Sequence, residues 1–197
     1  HNQEAERLLD KALPVLAADG AAPENLRWLV SAQVLLANLA QKRGDPRAAE
    51  THLRDAIGTC EALVAQGAAG LEDRLRLATS HYELGELLSE VVGRRDEAAA
   101  AVESCLRIVG AIPGTEARID EATALRLRAR MARHEGRELE SLADLERGVA
   151  MLRELVQAQP HDRSARANLA TSLISQGLAL KDLRKAPLWV LSEGHCL

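Results

Sequence analysis

Aromatic residues are almost missing from this 197-residue sequence, which has no Phe, one Tyr and two Trp. The strands of β-sandwiches and barrels draw on aromatic and β-branched side chains, so this scarcity argues against an all-β fold. The apolar residues, 47% of the chain, are mostly Leu and Ala, which form helices readily. The composition therefore favours an all-α protein.

Cysteine is also scarce, and it follows no metal-binding or disulfide pattern. Cys60, Cys105 and Cys196 are odd in number, far apart, and form no CxxC pair. This spacing argues against both a disulfide framework and a zinc site. We expect Cys60 and Cys105 to be small core residues, and the usage favours a reducing cytoplasm.

The chain has neither a basic excess nor a long apolar run. Its net charge is −4, whereas nucleic-acid-binding domains are normally basic. No apolar stretch approaches the length of a membrane span, and no signal peptide opens the sequence. We therefore expect no nucleic-acid and no membrane partner. The start at His1 rather than Met predicts a segment of a longer protein.

Motifs for catalysis or metal binding do not occur. The sequence has no HExxH, no GxSxG and no glycine-rich phosphate loop. The six histidines are dispersed, and His81 is the best single candidate for a general base, although a structural role is the more common one for such a residue. The segment is therefore predicted to be non-enzymatic, with no cofactor and no metal.

An internal repeat is present. Residues 77–80 read Leu-Ala-Thr-Ser and precede Gly85, and residues 169–172 read the same and precede Gly177, at an offset of 92. Related segments at 30–32 and 122–124 make the period 44 to 48 residues. A period that returns four times predicts an α-solenoid.

Glycines divide each repeat into two helices. Gly44, Gly93 and Gly136 each follow a helical pattern and suit the position just after a helix end. Asp45 and Pro46 suit the start of the next helix. The pattern predicts eight helices in antiparallel pairs, an A helix followed by a B helix: 2–18, 24–43, 46–66, 71–92, 95–109, 116–135, 138–159 and 163–183.

These helices make one repeat domain over residues 1–185. The complete pairs are expected at about 24–66, 71–109 and 116–159, with a lone B helix before them and a lone A helix after them. Residues 186–197 form a separate tail, because Pro187 interrupts the pattern and no further B helix follows. The apolar Leu188 to Leu191 segment is expected either to fold over the last helix or to form an interface.

Small residues recur where the two helices of a pair should cross. In the second pair, Gly85 is the small residue of the A helix, Gly93 is the turn glycine, and Ala98 is a small residue of the B helix. With the linker proline Pro160, this pattern resembles the tetratricopeptide repeat family, in the long-helix form common in bacterial multidomain proteins. The resemblance covers nearly the whole chain.

The resemblance implies a concave groove, lined by the A helices, that receives a peptide or helix. The groove positions carried over from the family are Val34, Asn38, Gln41, Tyr82, Glu86, Arg126, Arg130, Arg133 and Ile174. The three arginines are four and three residues apart, so they share one helix face and could bind carboxylates. The alternative is that they pair with Glu83, Glu86 and Glu90 of the preceding A helix.

The function that fits these features is a protein–protein interaction scaffold in a larger signalling or regulatory protein. Its partner would be a protein or peptide, of acidic character if the arginines contact it. Two alternatives stay open: a non-catalytic repeat region of an enzyme such as a Ser/Thr kinase or protease, and a ligand-sensing regulatory domain. A homodimer through the exposed terminal helices is a further expectation.

Overall fold

The structure is a computed structural model that describes residues 2–18 and 22–183. In these ranges the chain is all-helical and contains no strand, which confirms the predicted fold class. Each helix begins and ends within three residues of its predicted bounds. The helices are α1 (Asn2–Ala18), α2 (Pro23–Arg43), α3 (Pro46–Ala65), α4 (Leu71–Ser89), α5 (Arg95–Gly110), α6 (Thr115–His134), α7 (Glu138–Ala158) and α8 (Arg163–Leu183).

The turn between α2 and α3 shows why local sequence signals place the helix ends so well. Gly44 has φ 75°, the left-handed conformation that glycine adopts without strain. The Asp45 carboxylate accepts a hydrogen bond from the Ala48 N–H at 3.0 Å and so caps α3. Pro46 occupies the first turn, where no N–H is needed. Two residues therefore reverse the chain.

The end of α4 differs from its prediction. The predicted helix continues to residue 92, whereas α4 ends at Ser89 and Val92 is almost fully exposed. The Ser89 hydroxyl donates to the Glu86 carbonyl at 2.7 Å, and the Val91 N–H bonds the Leu88 carbonyl, three residues back. These local bonds close the helix early, since they replace the bonding of a further regular turn.

The contacts divide the chain into two units, His1–Ile108 and Val109–Leu197. In the second unit, α6 and α7 are antiparallel: Arg118 bonds Glu154 near one end of the pair, and Arg128 bonds Asp144 near the other. Helices α6 and α8 are parallel, because Thr123 bonds Asn168 and Arg133 lies 3.9 Å from Asp182. The core of this unit joins all three helices through Ile119, Ala122, Leu152, Leu155 and Ala165.

The first unit repeats this arrangement. Helices α2 and α4 are parallel, joined by Arg27 to Asp73 and by Arg76 to Ser31. The B helices α3 and α5 are also parallel, because Arg94, just before α5, bonds Glu50 at 2.7 Å and Glu97, one turn further, bonds Arg54. The bonded residues are 43 to 46 positions apart, which is close to the repeat period. Within each unit, the chain therefore has the packing of an α-solenoid.

Each A helix carries one stripe of four residues, spaced by three, four and three, which in α2, α4 and α6 faces the following B helix. We call it the pairing stripe. At Gly85 of this stripe, an added Cβ would lie 2.7 Å from Val102 Cγ2 of α5. The members are Val30, Gln33, Ala37 and Ala40 in α2; Ala78, His81, Gly85 and Leu88 in α4; Ala122, Leu125, Ala129 and Ala132 in α6; and Ala170, Leu173, Gly177 and Leu180 in α8.

The pairing stripe is buried in α2, α4 and α6, apart from the half-buried His81. Small residues in it let the two helix backbones approach closely. Cys60 of α3 and Cys105 of α5 are buried on the B side, as predicted, and burial raises the pKa of the Cys60 thiol to about 12. These cysteines therefore act as packing residues.

Candidate functional site

The side of α2 that no other helix covers carries two large apolar residues. Trp28 is 67% exposed and Leu35 is 52% exposed. Asn38 lies three residues after Leu35, at the half-buried edge of the same side. We call this side of α2 its open face. The aligned residues of α6, Asp120 and Leu127, are half-buried and buried.

The other groove residues predicted on α2 lie elsewhere on the helix. Val34 is one turn after Val30 and Gln41 is one turn after Ala37, so both are rotated towards the pairing stripe. Trp28 and Leu35 were missed by the sequence prediction. The repeat alignment held no clear signal for them, because at an offset of 48 these residues match Arg76 and Glu83, which are both half-buried.

On α4, the predicted groove residues Tyr82 and Glu86 are both half-buried. Glu83 lies beside them with one carboxylate oxygen, Oε2, buried and without a hydrogen-bond partner among the described residues. Burial, and secondarily the charge of Glu86, raise the pKa of Glu83. This part of α4 is therefore acidic but poorly solvated.

On α6, Arg126, Arg130 and Arg133 share one side, as their spacing predicts. This side faces α8, because it also carries Thr123, which bonds Asn168, and because Arg133 approaches Asp182. Arg126 Nε is buried and has no hydrogen-bond partner in the described part of the chain. Pairing of these arginines with Glu83, Glu86 and Glu90 would join the two units and stays a prediction.

On α8, Ile174 is 66% exposed and Leu178, one turn later, is 46% exposed. The second unit thus offers arginines on α6 and apolar side chains on the neighbouring α8. The tail 186–197, which was predicted to cover this helix or to form an interface, lies outside the described residues.

His81, the candidate general base, lies on the pairing stripe of α4. It is half-buried, and its Nδ1 has no hydrogen-bond partner among the described residues. Burial lowers the pKa of His81; the charge of Glu61 from α3 acts to raise it and that of Arg107 from α5 to lower it. The position is that of a packed side chain between helices.

Comparison with known proteins bears on the fold alone. No family model and no curated protein matches this sequence. Among solved structures, the crystal structure of BtubC (BKLC) from P. vanneervenii superposes with a TM-score of 0.51 at 17% sequence identity, covering 91% of this chain and 82% of that one. That likeness supports the helical architecture described above.

No three His, Cys, Asp or Glu side chains in residues 2–18 and 22–183 group as metal ligands. None of the described helices combines the length and the apolarity that a membrane crossing needs.

Replacing His81 by Leu is expected to remove a pH dependence of stability. The lowered pKa means that the unfolded state, with a His pKa of about 6.5, takes up a proton more readily than the folded state. The stability present above about pH 6.5 is therefore partly lost below it. Leu occupies the aligned positions 125 and 173, so His81→Leu should fit and flatten this loss.

The measurement is the melting temperature of the wild type and of His81→Leu at about pH 7.5 and 5.5, on either side of the ordinary His pKa. The exposed His161→Leu serves as a control and should keep the wild-type pH dependence. If His81→Leu loses as much stability on acidification as the wild type, His81 does not titrate as its burial implies.

Proposed function

We propose that this chain is a protein–protein interaction module of the tetratricopeptide type, which binds a peptide or helix through exposed side chains of its A helices. One observation carries the proposal: large apolar side chains are exposed on the A helices of both units. They are Trp28 and Leu35 in the first unit and Ile174 and Leu178 in the second. Each pair lies on one side of a single helix, and contiguous exposed apolar groups commonly mark protein-binding surfaces.

The charges of the second unit favour an acidic partner. Arg126, Arg130 and Arg133 present planar guanidinium groups along the junction of α6 and α8, and such groups bind carboxylates in a bidentate way. A buried donor such as Arg126 Nε gains a hydrogen bond when a carboxylate reaches it. The proposed ligand is therefore an amphipathic peptide with apolar residues on one side and Glu or Asp beside them.

A displayed library of random peptides, selected against the full chain, tests this proposal. We expect the selected sequences to combine large apolar residues with Glu or Asp. The exposed Trp28 supplies a second readout, because a peptide seated on the first unit should shift its fluorescence to shorter wavelength. The variant Trp189→Phe keeps Trp28 as its only tryptophan, so its fluorescence reports on the first unit alone.

We expect the double variant Arg126→Ala, Arg130→Ala to weaken such a peptide roughly tenfold, as two partly desolvated ion pairs would. The affinity is measured by titration calorimetry at physiological ionic strength. Salt should weaken the wild type more than the double variant, because only the wild type keeps these charges.

The matched control is Arg47→Ala, Arg153→Ala, which removes two exposed arginines from the B helices α3 and α7. Arg54 and Arg147 are poorer controls, because Arg54 bonds Glu50 and Glu97 and Arg147 bonds Glu121. Equal losses in the two double variants would indicate diffuse attraction. In that case the A helices would have no special part in binding.

A further inference from the structure

Arg126 differs from the other arginines of α6 in having no partner for its charge. No hydrogen bond or ion pair joins it to another described residue, and its Nε is buried. A buried polar atom without a partner is rare in folded proteins. The other arginines of α6 are each engaged: Arg118 with Glu154, Arg128 with Asp144, Arg133 with Asp182 at 3.9 Å, and Arg130 through an interaction of its own.

Arg126 lies on the side of α6 that faces α8. Along this side it comes one turn after Thr123, which bonds Asn168 of α8, and two turns before Arg133. Helix α8 carries no acidic residue before Asp182, which is level with Arg133. Helix α8 therefore offers no carboxylate at the level of Arg126.

The acidic residues of α6 that are nearest in sequence do not balance this charge either. Glu121 bonds Arg147 of α7. Burial and, secondarily, the charge of Glu116 raise the pKa of Asp120, whereas a guanidinium beside that carboxyl would lower it. The described part of the second unit therefore leaves the positive charge of Arg126 uncompensated.

An unpaired guanidinium at this place is suited to bind a ligand. The Arg126 side chain is half-buried, and because no hydrogen bond holds it, it can turn towards the surface without breaking one. A carboxylate that meets Nε and one terminal nitrogen forms two parallel hydrogen bonds with a guanidinium. Such a contact would give the Nε of Arg126 the partner that it lacks.

We propose that Arg126 is the specificity-determining residue for the acidic partner, and that it binds one Glu or Asp side chain of that partner at the junction of α6 and α8. The inference rests on the proposed function and names the residue that reads the acidic group. Arg130 and Arg133 are already engaged, so a ligand would have to replace their interactions. Arg126 gains hydrogen bonds from the ligand without losing any.

NMR of the arginine Nε–H groups tests this site without any peptide. Acetate, a minimal carboxylate, is titrated into the full chain and compared with chloride at equal ionic strength. We expect the Arg126 Nε–H resonance, assigned by its absence in Arg126→Lys, to move downfield with acetate only. The exposed Arg153 of α7 is the control and should keep its position. An Arg126 resonance that does not respond to acetate would overturn the proposal, whatever a peptide selection yields.

A double-mutant cycle tests whether Arg126 reads one residue of the partner. A peptide selected on the full chain is synthesised with an amidated C-terminus, so that its only carboxylates are side chains, and each Glu or Asp is changed in turn to Gln or Asn. We expect one such change to weaken binding to the wild type about tenfold and to leave binding to Arg126→Ala unchanged. The control Arg130→Ala should still respond to that change. If every change affects the wild type and Arg126→Ala equally, the proposal is wrong, while the binding itself still supports the proposed function.

Two further variants separate the geometry of Arg126 from its charge and from a role in folding. Arg126→Lys keeps the positive charge but lacks the planar fork, so it should lose most of the affinity that Arg126→Ala loses. Arg126→Met removes the unpaired charge and keeps an unbranched side chain, so the melting temperature should not fall. Full affinity in Arg126→Lys would indicate diffuse attraction, and a large loss of stability in Arg126→Met would indicate a structural role. Either result contradicts the proposal.

Discussion

Gly85→Leu is expected to destabilise the first unit by about 3 kcal/mol, the largest effect of any substitution proposed for this chain. The position has no room, because a Cβ alone would approach Val102 Cγ2 to 2.7 Å and the Ala98 carbonyl oxygen to 3.2 Å. Val102 and Ala98 are themselves fully buried, and one of the close atoms belongs to the backbone. Helices α4 and α5 would have to move apart, which opens their interface to water.

The measurement is urea unfolding followed by circular dichroism at low protein concentration. Gly58→Leu is the matched control, since Gly58 also lies within a helix but has nothing within 4 Å of its Cβ position. Leu favours a helix more than Gly does, so the control should gain up to about 1 kcal/mol. If Gly85→Leu instead kept or gained stability, as expected for Gly58→Leu, α4 and α5 would not cross as closely as the structure has them.

Asp73→Ala is expected to destabilise the same unit by about 2 kcal/mol or more. The Asp73 carboxylate is almost fully buried at the start of α4 and accepts hydrogen bonds from Arg27 of α2 and from the Gly70 N–H at 2.9 Å. Arg27 also donates to the Ala68 carbonyl. Removing the carboxylate therefore leaves the Gly70 N–H without its partner and loosens the connection between two A helices.

The Asp73 interaction also predicts that the stability of the first unit decreases at low pH. Burial opposes ionisation of Asp73, but the hydrogen bonds from Arg27 and Gly70, with the charges of Arg27 and Arg76, outweigh it and hold the pKa of the carboxyl below its ordinary value. A lowered folded-state pKa contributes stability above the unfolded value of about 3.9. That contribution is lost as the pH falls through the folded-state pKa.

Urea unfolding at about pH 7 and at several values below about pH 4 measures both effects. A second variant, Asp73→Asn, removes the negative charge of Asp73. The stability difference between this variant and the wild type should shrink as acid protonates Asp73 in the wild type. Asp55→Ala, at an exposed position of α3, is the control and should change little at any pH. A difference that stays constant down to low pH would show that the charge of Asp73 contributes nothing.

Both stability predictions concern how the A helices of the first unit are positioned relative to each other and to α5. A variant that loses stability without changing peptide affinity would separate the framework from its binding surface.

The candidate site was only partly predictable from the sequence. The three arginines share one side of α6, because a spacing of four and three residues puts side chains on one face of any α-helix. Trp28 and Leu35 were missed, and Val34 and Gln41 proved to be rotated towards the pairing stripe. The reason is that an inner repeat helix contacts neighbours on several sides, and Leu, Val and Ala occur on all of them.

The sequence by itself determined the eight helices and their order, because those depend on local chemistry. Gly44 supplies the left-handed turn, Asp45 caps α3, and the 44 to 48 residue period fixes which helices are equivalent. Only the tertiary structure decided which stripes are covered. Gly85 and Gly177 each lie five residues after a Leu-Ala-Thr-Ser segment. Gly85 is packed against Val102, whereas no described residue lies within 4 Å of a Cβ placed at Gly177. Burial depends on what lies across the helix, and the local sequence does not contain that information.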